Sequence, residues 1–345
     1  MTMSRVNKIG ITMGDPGGIG PEVIVRALQH PEIAAICAGK KAILQIFGDR
    51  KTLNEKASRL NLPAPESYSF VELTTHPELE GLDFPVGQLT QNGAKAQIAY
   101  IRMALAAVEK KEIRSIATAP IHKGAFAICD LSYCGHTEWL EDFAQRKAEA
   151  LLGEGVTWEI NPELRGIMML AGDRLRVVPT TVHIPLKEVP DALTHELILD
   201  TVRVTHHAMK QWFGIKEPKL AVCGLNPHAG DGGLLGREEE ILIEPAVAAL
   251  KNEGMDVSGP YPADTVFYFA SQGQFDAVIA MYHDQALAPL KLLHFEDAIN
   301  ITLGLPFLRT SVDHGVAYDI ASRQCASSLS MENAIKMALG SLDAA

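Results

Sequence analysis

Apolar residues fall into short runs along the chain: Ile9–Met13, Ala42–Phe47, Ile113–Ala117, Ile167–Leu170, Leu175–Thr180, Leu220–Leu225, Ala277–Tyr282 and Ile299–Leu303. Runs this short, with little polar alternation, predict β-strands covered on both faces. Between them the period changes. Gln91–Glu109 sets Ile98, Ile101, Leu105 and Val108 three and four positions apart, which predicts a helix with one buried stripe. Val189–Trp212 and Pro245–Glu253 also read as helices, the second stopped by Gly254. Strand and helix in alternation predict an α/β protein whose largely parallel sheet carries helices on both faces. Lys147–Glu163, with Gly153, Gly155 and Pro162, breaks the rhythm and reads as a surface excursion.

With 345 residues the chain exceeds what one core usually holds, so two domains are expected. A net charge of -11 argues against a nucleic-acid or anionic-membrane partner and restricts any anionic substrate to a local basic cluster. Five cysteines without a C-x-x-C pair suit reduced thiols. Met1–Lys8 lacks an apolar signal-peptide core, and no run approaches the ~18 apolar residues of a membrane span, so a cytoplasmic protein is expected.

Three strand-like runs share an ending. His183 follows Leu175–Thr181, His228 follows Leu220–Leu225, and His283 follows Ala277–Tyr282. In an open α/β sheet ligands bind outside the carboxyl ends of the strands, so imidazoles at three such ends can converge. Three protein ligands and an open position describe a catalytic metal site. A lone strand-end histidine more often bonds backbone; it is the repetition, with Asn226-Pro-His-Ala-Gly-Asp-Gly-Gly233 and Tyr282-His-Asp-Gln285 as marked turns, that favours a metal.

Other segments carry chemistry as well. Met13-Gly-Asp-Pro-Gly-Gly-Ile-Gly-Pro-Glu22 is a glycine-rich turn before a helix beginning at Pro21, suited either to a tight turn or to an anion, but it fits neither G-x-G-x-x-G nor the Walker pattern. Gly135-His-Thr-Glu138 enters a helix with Thr137 as the expected cap, which points His136 and Thr137 at an anion or caps the helix and nothing more. Lys291, Asn300 and Arg309 flank apolar sequence, which favours a pocket for phosphate or carboxylate over solvated side chains. His195, His206 and His207 read as helix-surface residues; His122 and His314 are reserve site candidates.

Together Ile11–Glu22, Gly135–Glu138, Val222–Gly230, Ala280–Gln285 and Asn300-Ile-Thr-Leu-Gly-Leu-Pro-Phe307 resemble the 4-hydroxythreonine-4-phosphate dehydrogenase family of vitamin B6 synthesis. The resemblance implies a divalent ion (zinc, magnesium or cobalt) on His183, His228 and His283, with His136, Thr137, Lys291, Asn300 and Arg309 on the substrate. It implies NAD or NADP as cofactor, placed against Gly14, Asp15, Gly18 and Asp319, and a homodimer with the active site near the subunit interface. It also implies two α/β/α domains with a cleft, similar to the isocitrate and isopropylmalate dehydrogenases. On that pattern residues 1–130 with 290–345 form the first domain and 131–289 the second. The chain departs from the family pattern at Ala148–Glu163, which shorter members lack, and at Ser322-Arg-Gln-Cys-Ala326, where a glycine-containing turn is usual.

The expected reaction is metal-assisted oxidation of a secondary alcohol, with decarboxylation of the resulting β-keto acid. Lys291 is the expected proton acceptor and Asp264 its competitor. Rival readings are a dehydrogenase of phosphorylated four-carbon sugar acids, a zinc hydrolase or aldolase on the same histidines, and a non-catalytic binding protein.

Overall fold

The computed structural model describes residues 7–153, 158 and 160–343. The chain divides into two compact units, Met1–Val156 with Leu305–Ala345, and Thr157–Gly304. These boundaries lie at 156/157 and 304/305 rather than at the expected 130/131 and 289/290. The helix His136–Arg146 therefore stays with the first unit, and Lys291 and Asn300 with the second. In sequence the first junction falls within the excursion Lys147–Glu163, which carries Gly153, Gly155 and Pro162, and the second at Gly304-Leu-Pro306.

In chain order the strands are β1 (Asn7–Thr12), β2 (Ala42–Phe47), β3 (Val71–Thr74), β4 (Ser115–Thr118), β5 (Ile167–Ala171), β6 (Arg176–Thr181), β7 (Leu220–Cys223), β8 (Val257–Tyr261), β9 (Ala277–Tyr282), β10 (Ile299–Leu303) and β11 (Leu308–Val312). The first unit sets them in the order β3-β2-β1-β4-β11, every pair parallel. The second has the order β10-β5-β6-β9-β7-β8, where β10, β5 and β6 pair antiparallel and the rest parallel. β5 and β6 form a hairpin, closed at Gly172 by its N–H bonding to the Leu175 carbonyl at 2.9 Å.

The helical stripe of Gln91–Glu109 is buried as its spacing predicts: Ile98, Ile101, Leu105 and Val108 all lie in the core. Burying each such side chain contributes roughly 1.5–3 kcal/mol. The helix expected over 189–212 is broken. A short turn Val189–Ala192 precedes the helix His195–Gln211, whose cap is the Thr194 hydroxyl accepting from the Leu197 N–H at 3.0 Å. A threonine that satisfies a first-turn donor restarts the helix where periodicity alone runs through. Of the excursion, Ala148–Leu152 is a short helix, and Asn161 is fixed by donating to the carbonyls of Arg165 and Gly304, both at 2.7 Å; residues 154–157 and 159 lie outside the described residues. Among the described residues no helix is long and apolar enough to cross a membrane.

Candidate active site

In the second unit β6, β9 and β7 are consecutive parallel neighbours, so their carboxyl ends share one edge of the sheet. Side chains stitch these ends together. Thr181 at the end of β6 donates its hydroxyl to the Met281 carbonyl on β9 at 2.8 Å. Gln285 accepts from the Met281 N–H at 2.7 Å and donates to the Gly224 carbonyl beyond β7 at 2.8 Å. His183 leaves β6 two residues after Thr181, which pairs with Tyr282, and His283 follows Tyr282 directly. The two rings stand 5.6 Å apart between centroids, tilted at 45°. They line a cleft of about 380 Å³ with Thr181, Ile184, Tyr282 and Asp284. His283 Nδ1 bonds Asp284 at 2.7 Å, an orientation that leaves Nε2 for an ion.

His228 rides on the loop after β7. His228, Ala229, Gly230 and Asp231 all have left-handed backbone, with φ of 53°, 53°, 81° and 46°. Three of these are not glycine, and strain of roughly 1–3 kcal/mol per residue persists only where the surroundings dictate it. Here Glu239 does so from inside the loop. Its carboxylate, 1% exposed, accepts from the Asn226 N–H at 2.7 Å and the Asn226 amide at 2.9 Å. The three histidines do not meet as a trio. Among the described residues the group of three ligand-type side chains with donor atoms within 4.8 Å of one another is Asp173, His294 and Asp297. An imidazole pair at adjacent strand ends is nevertheless a donor set that suits zinc or cobalt.

Lys291 lies in the last turn of the helix His283–Leu293, with Nζ 5.5 Å from the Phe295 ring centre. Asn300 is on β10, opposite Leu170 of β5. Asp264 is exposed in the first turn of the helix Ala263–Ser271.

In the first unit His136 opens the helix His136–Arg146, and Arg309 sits on β11. Both are buried, at 9% and 5% exposure. Burial, and then the Arg309 charge, hold His136 well below the usual histidine range, so its ring is neutral; burial brings Arg309 down to about 10. Arg309 Nε and Nη2 both donate to the Thr118 hydroxyl, at 3.1 and 3.0 Å. Thr137 is not the helix cap. Gly135 occupies that position without a side-chain bond, and Glu138 reaches back to accept from the Cys134 N–H at 2.7 Å.

The glycine-rich turn is closed upon its own protein. The N–H groups of Asp15, Gly17, Gly18 and Ile19 bond the Pro120 carbonyl, the Asp15 carboxylate, the Asp15 carbonyl and the Val316 carbonyl respectively. A Cβ on Gly14 would lie 2.3 Å from the Pro120 oxygen, and one on Gly18 2.8 Å from the Val316 oxygen, so these glycines admit neighbouring backbone. Asp15, 1% exposed, accepts from Gln97 at 2.7 Å and from the Tyr318 hydroxyl at 2.5 Å. Burial pushes its carboxyl above the usual range, against the pull of those bonds. His122 stacks on Tyr318 with ring centres 5.7 Å apart. Gly14, Asp15 and Gly18 thus form a structural knot that offers a dinucleotide none of these donors; Asp319, by contrast, is exposed.

Sequence reasoning passed over Glu239, Gln285, Thr118 and Tyr318. Gln285 closes the marked turn at His283, but Glu239 lies in Arg-Glu-Glu-Glu, which reads as a solvated run.

The family model described as pyridoxal phosphate biosynthetic protein PdxA matches residues 40–338. The 4-hydroxythreonine-4-phosphate dehydrogenase of Desulforapulum autotrophicum is 43% identical over 336 residues, 96% of this chain and 94% of the relative. The enzyme of the same name from Neisseria meningitidis serogroup B is 41% identical over 350 residues, 96% and 98% of the two chains. The crystal structure of 4-hydroxythreonine-4-phosphate dehydrogenase from Klebsiella pneumoniae superimposes with a TM-score of 0.80 at 35% identity, covering 98% of each chain. Similarity of this extent, running through both units, shows that the chain belongs to the PdxA family.

Proposed function

We propose that the chain oxidises 4-phosphohydroxy-L-threonine with NAD to 2-amino-3-oxo-4-phosphooxybutanoate, which loses carbon dioxide to give 3-amino-2-oxopropyl phosphate, a step of pyridoxal phosphate synthesis. The observation that carries it is the pair His183 and His283, at adjacent parallel strand ends of a chain in this family. His228, on the loop of the next strand, completes the proposed metal set. When bound, the ion supplies a Lewis acid that lowers the pKa of the alcohol, and NAD supplies the hydride acceptor.

The chain's own residues do the rest. Arg309 and the N-terminal turn of His136–Arg146 offer charge-assisted bonds to an anionic group, with Thr137 in that turn. Neutral His136 adds a hydrogen bond without adding charge. Lys291 and Asn300 contact the substrate, and Lys291 or Asp264 takes the hydroxyl proton as the carbon gives up its hydride. Leu292 and Phe295, 85% and 78% exposed beside Lys291, support an interface between two copies there, in a homodimer working in the cytoplasm.

The test compares substrates. NAD reduction is expected to be faster with 4-phosphohydroxy-L-threonine than with phosphorylated D-threonate or D-erythronate. A reversed ranking of kcat/KM assigns the chain to the sugar acids, and no reduction with any of them returns the histidines to hydrolase or aldolase chemistry.

A further inference from the structure

His294 ends the helix that begins at His283, and it is nearly sealed from solvent, at 4% exposure. Its N–H bonds the Leu290 carbonyl at 2.7 Å, so the backbone still belongs to the last helical turn, the one that carries Lys291. The ring reaches two other segments. Nδ1 bonds Asp297 at 3.0 Å, in the link to β10, and Nε2 lies 3.4 Å from the exposed Asp173, in the β5–β6 hairpin turn, without a hydrogen bond to it. Beneath the ring is Gly172. A Cβ there would fall 2.2 Å from His294 Cγ and 2.5 Å from Cδ2 and Nδ1. The backbone at Gly172 has no positive φ that would demand glycine, so the missing side chain serves the ring above it.

A metal ion is the other account of two carboxylates around an imidazole. The two nitrogens of a ring point away from each other, however, and each here faces a different carboxylate. The ring thereby joins three pieces of chain through one hydrogen bond and one close approach; because one donor from each residue also lies within 4.8 Å of the others, an ion on this group is the rival that the experiment below separates.

We propose that His294 is a positioning residue: seated on Gly172 between Asp173 and Asp297, it fixes the 294–298 link, and with it the separation of Lys291 from Asn300. Lys291 lies three residues before the clasp. Asn300 lies three residues after Asp297, on the strand that pairs with β5 so that Ile299 faces Ala171, next to Gly172. Both ends of the link are thereby referred to one hairpin turn. The assignment rests on the proposed substrate role of Lys291 and Asn300.

The experiment uses the full chain as His294→Ala, Gly172→Ala and the double variant, with 4-phosphohydroxy-L-threonine and NAD. Displacing substrate contacts by an ångström typically costs up to about a hundredfold, so each single variant should lose roughly ten- to a hundredfold in kcat/KM for the phosphorylated substrate. KM for NAD and the metal content should stay at wild-type values. The double variant should be no worse than His294→Ala, because the added methyl enters space the ring has left. Amide hydrogen exchange over residues 288–300 should quicken in both single variants, a readout that holds even if the wild-type chain prefers another substrate. Gly172→Ala keeps the test alive should His294→Ala fail to fold. Wild-type kinetics and exchange with only a lowered Tm would make His294 a packing residue and overturn the proposal. So would a bound ion that disappears in His294→Ala but persists in His183→Ala.

Discussion

His136 and Arg309 are buried together, and the causes acting on the imidazole, burial and a neighbouring positive charge, push in one direction. The unfolded chain takes up a proton near pH 6.5 that the folded chain refuses. Stability therefore rises with pH up to that point and falls as pH drops below it, by up to about 1.4 kcal/mol per pH unit until the depressed folded value is reached. Relative to His136→Gln, the wild-type chain should lose denaturant midpoint between pH 6.5 and pH 5, and a parallel pair of curves would remove the neutral buried imidazole. Residues of this kind were only partly legible in the sequence. That His183 and His283 stand at neighbouring strand ends was legible because each ends an apolar run, a one-dimensional signal. The burial of Glu239 and Thr118 was not, because a single polar residue among ordinary neighbours is buried or exposed only by what folds over it. The surroundings of Asp15 are hidden in the same way, because its partners Gln97 and Tyr318 are remote in sequence.

The elements missed by periodicity each break the rule that reveals a buried strand. β8 contains Gly259 and Pro260 and pairs only with β7, an edge position that tolerates both. β3 has four residues and also lies at an edge. β11 is wholly buried yet reads Leu-Arg-Thr-Ser-Val, and its polar groups are matched by partners that local sequence does not reveal: Arg309 to Thr118, Thr310 to the Ala334 carbonyl, Ser311 to the Thr118 carbonyl. The loop 226–236 is the opposite case. Its Asn, Pro and Gly content announces a turn, while its left-handed run depends on a carboxylate supplied from residue 239. Gly230→Ala should expose that dependence. The new methyl would sit 2.7 Å from Glu239 Oε2, at φ of +81°, and left-handed backbone alone costs an alanine about 1–2 kcal/mol. Metal affinity should fall by roughly that amount or more in calorimetry, with the Thr181 and Gln285 stitches intact; unchanged affinity would detach His228 from the ion.

On the scale of the whole chain, alternation of strand and helix foretold the α/β class; the first junction of the two units falls inside the excursion 147–163 that breaks that alternation, whereas the second, between β10 and β11, lies in apolar sequence that gives no sign of it. The discontinuity of the first unit has a physical cost that the parallel sheet makes plain. β4 is buried along its full length, and its outer flank is closed by β11. The hydroxyls of Ser115 on β4 and Thr310 on β11 bond the carbonyls of Ala338 and Ala334, in the helix Leu329–Gly340. During synthesis, then, the first strands emerge long before the groups that satisfy them, while 157–304 is a contiguous segment that carries β5 to β10 together. The later-made part of the protein should be the earlier to fold. A chain stopped after residue 304 should leave its first 118 residues open to limited proteolysis and keep a resistant core from 157 onward, whereas equal resistance of both parts would show that the first unit does not need its C-terminal strand. On this view the nascent chain spends the span between residues 118 and 312 with an unfinished sheet edge, the interval in which a chaperone would have something to hold.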